Sequence, residues 1–217
     1  MKPKLSILIT CYNKEKYISY ILNQLIEQNS PDIEVHIIDD ASTDGSFRII
    51  REISKPIKNF HVHRNFSNLG TAYVRNDAIN MVNGEYFIFI DGDDMLTENY
   101  VETILKYIDE DSESDIHTFK ARLYPFGAKI DLNISLCNKV IKTSFLKEHL
   151  INFDGAIVFL EDNYFLETID KQSPIKNNHN EVLYIYNMLI DDTSSRQYGI
   201  WWNNPSDLDK QHFFDSL

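Results

Sequence analysis

Apolar positions along this chain fall into short runs divided by amphipathic stretches. Leu5-Ser6-Ile7-Leu8-Ile9-Thr10 is a run of branched residues that stops at the polar turn Cys11-Tyr12-Asn13-Lys14, the mark of a buried strand. Tyr17, Ile18, Ile21, Leu22, Leu25 and Ile26 then recur at i, i+3, i+4 spacing, which predicts a helix with one apolar face. Asn29-Ser30-Pro31-Asp32 closes it. A second strand over Ile33–Ile38 ends at Asp39-Asp40. The turn Ala41-Ser42-Thr43-Asp44-Gly45-Ser46 leads into a helix carried by Phe47, Ile49, Ile50 and Ile53, since small polar residues suit helix starts. Phe60-His61-Val62-His63 reads as a short third strand, and Thr71–Val82 as a helix stopped by Asn83-Gly84. Tyr86–Ile90 is the fourth strand. Strands and helices that alternate in this way predict a mostly parallel sheet with helices on both faces.

Past residue 96 the pattern loosens. Thr97–Ile108 is an amphipathic helix, and Asp109–Asp115 is a charged loop that reads as solvated surface. Ile116–Leu123 and Lys129–Leu136 read as a small antiparallel portion around Pro125-Phe126-Gly127. Helical stretches follow near Lys142–His149 and Asp162–Ile169, then a late strand over Val182–Leu189. There is no repeat and no linker-like change of composition, so residues 1–217 read as one domain.

Chemistry enters at the end of the fourth strand. Tyr86-Phe87-Ile88-Phe89-Ile90 runs directly into Asp91-Gly92-Asp93-Asp94, which places three carboxylates at the strand's carboxyl end, where open α/β sheets bind ligands. Such close negative charges repel unless a cation joins them. Hard oxygen ligands suit Mg²⁺ or Mn²⁺, ions that usually accompany phosphates. The formal charge of −12 argues against broad nucleic-acid binding. Two cysteines, Cys11 and Cys137, make no disulfide framework. The apolar stretch after Met1-Lys2-Pro3-Lys4 is only about five residues, short for a signal peptide, and no run approaches the roughly 20 residues that span a bilayer. A cytoplasmic protein is expected.

The ordered motifs resemble family 2 glycosyltransferases of the GT-A fold. Ser6–Asn13 looks like the family's opening strand and Thr-x-Tyr-Asn turn, and Asp39-Asp40-Ala41-Ser42-Thr43-Asp44-Gly45-Ser46 is similar to its Asp-Asp-x-Ser-Thr-Asp-x-Ser segment. Gly70-Thr71-Ala72-Tyr73-Val74-Arg75-Asn76 resembles the Ala-x-x-Arg-Asn helix, and Asp91-Gly92-Asp93-Asp94 the Asp-x-Asp-Asp motif. Asn138-Lys139, Glu161-Asp162, and Leu183–Tyr186 with Ser194-Ser195 look like the later motifs. Each is weak alone; their order makes the case. Cys11 and Thr71-Ala72-Tyr73 depart modestly from the family pattern.

The resemblance implies a Rossmann-like, mostly parallel α/β sheet and an inverting, metal-assisted transfer. Residues 1–96 would form the nucleotide-sugar-binding half and residues 97–217 the acceptor-binding half with its tail. The donor would be a nucleoside diphosphate sugar, most often UDP-linked. Thr10 and Tyr12 would frame the base, and Asp40, with Asp39 close by, would accept its N–H. Arg75 would help place Asp40 or a phosphate with its rigid fork of donors. Asp91 and Gly92 belong to the donor site, with Asp93, Asp91 and Asp94 as ligands for Mn²⁺ or Mg²⁺. Asp162 is the expected general base, with Glu161 beside it, and Asp162 would also cap the helix starting near Asn163. The acceptor would be a carbohydrate or glycoconjugate, a modified nucleic-acid base being a lesser option.

Blander readings stand beside these. Asp39-Asp40 would serve equally as a capping pair. Lys139 reads as solvated, His61 and His63 as structural, and Trp201-Trp202 has no ranked role. Among rivals, a nucleotidyltransferase needs a Gly-rich basic loop where Cys11-Tyr12-Asn13-Lys14 stands, and an Asp-nucleophile phosphatase needs Thr or Val at Met95. A receiver-like signalling module or a non-catalytic nucleotide-sugar-binding module is the remaining alternative.

Overall fold

The computed structural model describes residues 2–124, 126–133, 135–157 and 160–187. Its elements are β1 (Leu5–Cys11), α1 (Ile18–Glu27), β2 (Ile33–Asp39), α2 (Ser46–Ser54), β3 (Phe60–Arg64), α3 (Thr71–Met81), β4 (Tyr86–Asp91), β5 (Met95–Leu96), α4 (Tyr100–Glu110), β6 (Ile116–Tyr124), β7 (Lys129–Ile130), β8 (Lys139–Lys142), α5 (Thr143–Glu148), α6 (Glu161–Asp170) and β9 (Lys176–Asn187). The strand order is β3-β2-β1-β4-β8-β6-β9-β5, with β7 beside β6. The first four strands run parallel. β8 is antiparallel to both β4 and β6, and β5 is antiparallel to β9.

Both faces of the central strands are covered, which explains why they read as continuous apolar runs. In β1, Leu5, Ile7 and Ile9 pack on one side with Leu22 and Leu25 of α1, while Leu8 packs on the other with Val74 and Ala78 of α3. β4 divides likewise: Tyr86, Ile88 and Ile90 share the first layer, Phe87 and Phe89 the second. Each fully buried Leu, Ile or Phe contributes about 1.5–3 kcal/mol relative to exposure. One polar knot sits in the second layer. Glu34 accepts hydrogen bonds from Ser6 Oγ (2.5 Å), the Asn83 amide (2.7 Å) and Asn83 Nδ2 (3.1 Å), tying β1 and β2 to the end of α3.

The second half departs from expectation in four ways. Of the strand expected over 129–136, only Lys129–Ile130 pairs with β6, and Leu136 instead meets Asp162 through its amide. Residues 139–142, given no element beyond the approximate helix start at Lys142, form β8 between β4 and β6. This four-residue strand is too short to show a period. β9 begins at Lys176, six residues before the expected start at Val182, and lies parallel to β6. The start of that strand is polar, and pairing with β6 recruits it. Helix α6 begins at Glu161 after Leu160 in a left-handed conformation (φ 58°), so Asp162 lies in the first turn and is not the cap. The residues from 188 onward, including Ser194-Ser195 and Trp201-Trp202, lie outside the described residues. No helix among the described residues is long and apolar enough to cross a membrane.

Candidate active site

Parallel register brings the expected residues to one edge. Cys11 is level with Asp39 across β1–β2, and Thr10 is level with Asp91 across β1–β4. The turn after β1 and the turn after β2 are laced together. Asn13, left-handed at φ 53°, accepts the Thr43 amide at 2.8 Å and donates its own amide to Ser42 Oγ at 2.9 Å. Glu15 accepts the Gly45 amide at 2.7 Å. Tyr12 is half-exposed there, and Thr10 is half-buried. Gly92 fits tightly: a β-carbon would come within 3.1 Å of Ile18 Cδ1 and 3.3 Å of Thr10 O.

The two adjacent aspartates do different work. Asp40 Oδ1 accepts from Asn65 Nδ2 (2.8 Å) and the Leu69 amide (3.0 Å), and Oδ2 accepts from the Leu69 and Gly70 amides (3.1 and 3.0 Å). Its lone pairs are thus taken by the loop before α3, and the hydrogen bond expected from a nucleotide base meets an occupied carboxylate. Asp39 Oδ2 accepts the Ser42 amide at 3.2 Å and faces Arg64 Nε at 3.2 Å, whereas Oδ1 is buried with no hydrogen-bond partner among the described residues.

The acidic motif after β4 also divides. Asp93 is ion-paired with Lys14, a residue read from the sequence as a turn position only. Burial, reinforced by Asp91, raises the Asp93 carboxyl above its ordinary range against the pull of Lys14. Asp94 Oδ1 accepts the Asn187 amide at 2.7 Å, and Oδ2 accepts the Tyr184 hydroxyl. It is buried and already bonded through both oxygens, so the expected metal-ligand role does not suit it. Burial and the charges of Asp93 and Asp91 push its carboxyl well up. No group of three or more His, Cys, Asp or Glu among the described residues gathers around a cation position. Asp93 and Asp91 remain as hard oxygen donors. One or two carboxylates are what Mg²⁺ commonly takes when substrate phosphates complete its shell.

Arg75 does not reach Asp40; it is the hub of a different cluster. The side chain is 3% exposed, and Nη1 donates to Glu161 (3.1 Å) and to Asp162 Oδ1. Nη2 approaches Asp91 at 3.5 Å. Burial works against the guanidinium's charge, and Asp162 and Asp91 hold its pKa above the usual arginine value. Asp162 Oδ2 accepts the Leu136 amide at 3.2 Å. Cys137 Sγ lies 3.5 Å from Asp91 Oδ2. The Asp162 carboxyl is raised by burial despite Arg75, and Glu161 likewise. Their side chains keep 17% and 19% exposure to solvent, and the first helical turn favours their charge. The Leu136 amide escaped sequence reasoning, because a backbone donor carries no local signal, and Tyr184 reads from the sequence only as part of the Leu183–Tyr186 motif, without its bond to Asp94.

A sequence profile described as glycosyl transferase family 2 matches residues 6–150. The chain belongs to glycosyl transferase family 2. It is 33% identical over 184 residues to a poly(ribitol-phosphate) beta-glucosyltransferase of Bacillus spizizenii, covering 75% of this chain and 28% of that protein. It is 28% identical over 188 residues to the putative glycosyltransferase EpsH of Bacillus subtilis, covering 75% and 54%. The crystal structure of residues 1–349 of Staphylococcus aureus TarS with UDP-GlcNAc superposes with a TM-score of 0.77 at 25% identity, over 87% of this chain and 60% of that one. The chain spans about half or less of the length of these curated relatives. The family 2 chain therefore has the GT-A arrangement, a curled, mostly parallel sheet flanked by helices.

Proposed function

We propose that this family 2 chain moves a sugar from a nucleoside diphosphate sugar, UDP-linked, to a hydroxyl of a carbohydrate or glycoconjugate acceptor, with inversion at the anomeric carbon. The observation that carries this reading is the Asp162 carboxylate. It is fixed by Arg75 and the Leu136 amide, raised in basicity by burial, partly exposed, and joined through Arg75 to Asp91 of the acidic motif. A general base must reach the acceptor hydroxyl and accept its proton at working pH. As that oxygen bonds to the anomeric carbon, the bond to the diphosphate breaks, the proton passes to Asp162, and the nucleoside diphosphate leaves. A direct displacement of this kind needs no covalent intermediate.

Base recognition falls to Asp39, whose buried Oδ1 has no partner among the described residues and would have to be uncovered to meet a base, with exposed Tyr12 just past β1 as a stacking surface. Asp40 shapes the loop that closes this side. Lys14 sets a positive charge beside Asp93. A divalent ion, when bound, would be held by Asp93 with Asp91 nearby and would neutralise charge developing on the departing diphosphate. The relative solved with UDP-GlcNAc supports a uridine donor.

Calorimetric titration of UDP, GDP and ADP, with and without Mn²⁺, tests the donor site on wild type and Asp93→Ala. Metal-dependent binding of UDP that the variant loses is the expected result. Absence of nucleotide binding under every condition overturns the donor assignment. Asp162→Asn tests the base: UDP release from UDP-GlcNAc should fall by about 10²–10⁴, with UDP affinity unchanged.

A further inference from the structure

Lys139 is buried, contrary to the solvated position that its sequence context suggests. All three of its N–H donors have nearby acceptors: Leu132 O and Ser135 O at 2.6 Å each, and Asn138 Oδ1 at 3.0 Å. The ammonium has no further proton to give. Asn138 in turn donates Nδ2 to Phe119 O of β6 at 2.7 Å, and the Lys139 amide donates to Leu136 O at 3.0 Å. The chain between β7 and β8 therefore has its carbonyls gathered inward on one cation and its end pinned to the sheet.

This arrangement turns two groups toward the carboxylates around Arg75. The Leu136 amide meets Asp162 Oδ2 at 3.2 Å, and Cys137 Sγ faces Asp91. Leu136 itself is buried in the layer that contains Phe165 and Leu166 of α6, so the loop and the helix bearing Asp162 share one packing unit. Without the ammonium, Ser135 O would lose its donor and Leu132 O would keep only the Ser135 amide at 3.4 Å. Buried acceptors without partners are costly, and the loop would turn to hydrate them.

We propose that Lys139 is a positioning residue for the transfer, a cationic clasp that shapes the loop so that its Leu136 amide orients the carboxylate of Asp162. The inference rests on the reading of Asp162 as the base. Burial lowers the Lys139 ammonium to about 8, against the pull of Cys137 and Asp162.

The test combines resonance assignment with kinetics. In ¹⁵N-labelled wild type, the Leu136 amide shift should follow the titration of Asp162, and Asp162→Asn should abolish that dependence. In Lys139→Gln the Leu136 amide should lose it while the rest of the spectrum stays folded. The rate of UDP release from UDP-GlcNAc should then fall about ten-fold, the size expected for a lost hydrogen bond to a charged group, with UDP affinity unchanged. Adding Lys139→Gln to Asp162→Asn should change the rate by less than about two-fold, because both act through one group. A Leu136 amide that still follows Asp162 in Lys139→Gln overturns the proposal, as do multiplicative rate losses. If Lys139→Gln does not fold, Asn138→Ala removes one of the three acceptors from the clasp, and retention of both the coupling and the full rate in that variant likewise overturns it. A wild-type rate in Asp162→Asn sinks the base assignment instead, while the amide titration still decides whether Lys139 shapes the loop.

Discussion

Arg75→Met removes the one cation inside the cluster formed by Asp91, Glu161 and Asp162 while keeping most of the side-chain bulk. Arg75 is 3% exposed and its carboxylate partners on α6 are 17–19% exposed. Breaking a buried pair by deleting one partner costs about 3–5 kcal/mol. The carboxylates here keep some solvent, which places the loss near the lower bound, about 3 kcal/mol at neutral pH. For a chain of this size that corresponds to roughly 6–12 °C in Tm. The pH dependence has a definite sign. Burial already raises the Glu161 and Asp162 carboxyls, and loss of Arg75 raises them further. A carboxyl whose folded pKa exceeds its unfolded value of about 4 stabilises the fold when protonated, and that contribution fades as pH rises through the folded pKa. The deficit of Arg75→Met relative to wild type should therefore be small near pH 4.5 and grow toward pH 8. Urea unfolding of both proteins across that range measures it. A deficit that is equal at both ends would mean that only packing was lost, and would refute the electrostatic account of the cluster.

Other substitutions probe separate contacts. Gly84→Ala places a β-carbon 2.6 Å from Ser6 N and 2.7 Å from Tyr86 O, so it should destabilise by about 1–3 kcal/mol. Gly155→Ala meets only the half-exposed Tyr73 ring and should cost less; equal Tm values for the two would refute this ranking. Glu34 is buried, which works against its charge, but hydrogen bonds from His36, Ser6 and Asn83 hold its carboxyl below the usual range. Its stabilisation is present above the unfolded carboxyl pKa of about 4.3 and lost as pH falls toward the folded value. Glu34→Gln should show a flatter stability profile below about pH 5 than wild type, and parallel denaturation profiles would exclude this. Tyr184→Phe deletes the hydroxyl donor to buried Asp94 and should cost about 1–3 kcal/mol, read by thermal unfolding; an unchanged Tm would show that the bond contributes little.

Local pattern carried the first half of the chain. A run such as Leu5–Thr10 or Tyr86–Ile90 is apolar on both faces, and residues of that kind have few places to go except the middle of a sheet covered by helices. The carboxyl edge followed from it: once β1, β2 and β4 are parallel, Thr10, Asp39 and Asp91 share one end of the sheet. The pairings inside the site were not legible. Arg75 and Asp162 are 87 positions apart, and nothing local says that the arginine would turn to α6 rather than to Asp40. Asp40 and Asp39 are adjacent and identical, yet only the fold decides that one knits a loop while the other keeps a buried oxygen without a partner among the described residues. The second half was written less clearly, because β8 is four residues long and the polar start of β9 becomes a strand only through pairing with β6. Periodicity is a local property of the chain and survives in the sequence. Which buried charge meets which partner depends on strand order and loop path, and those are settled only when the layers close.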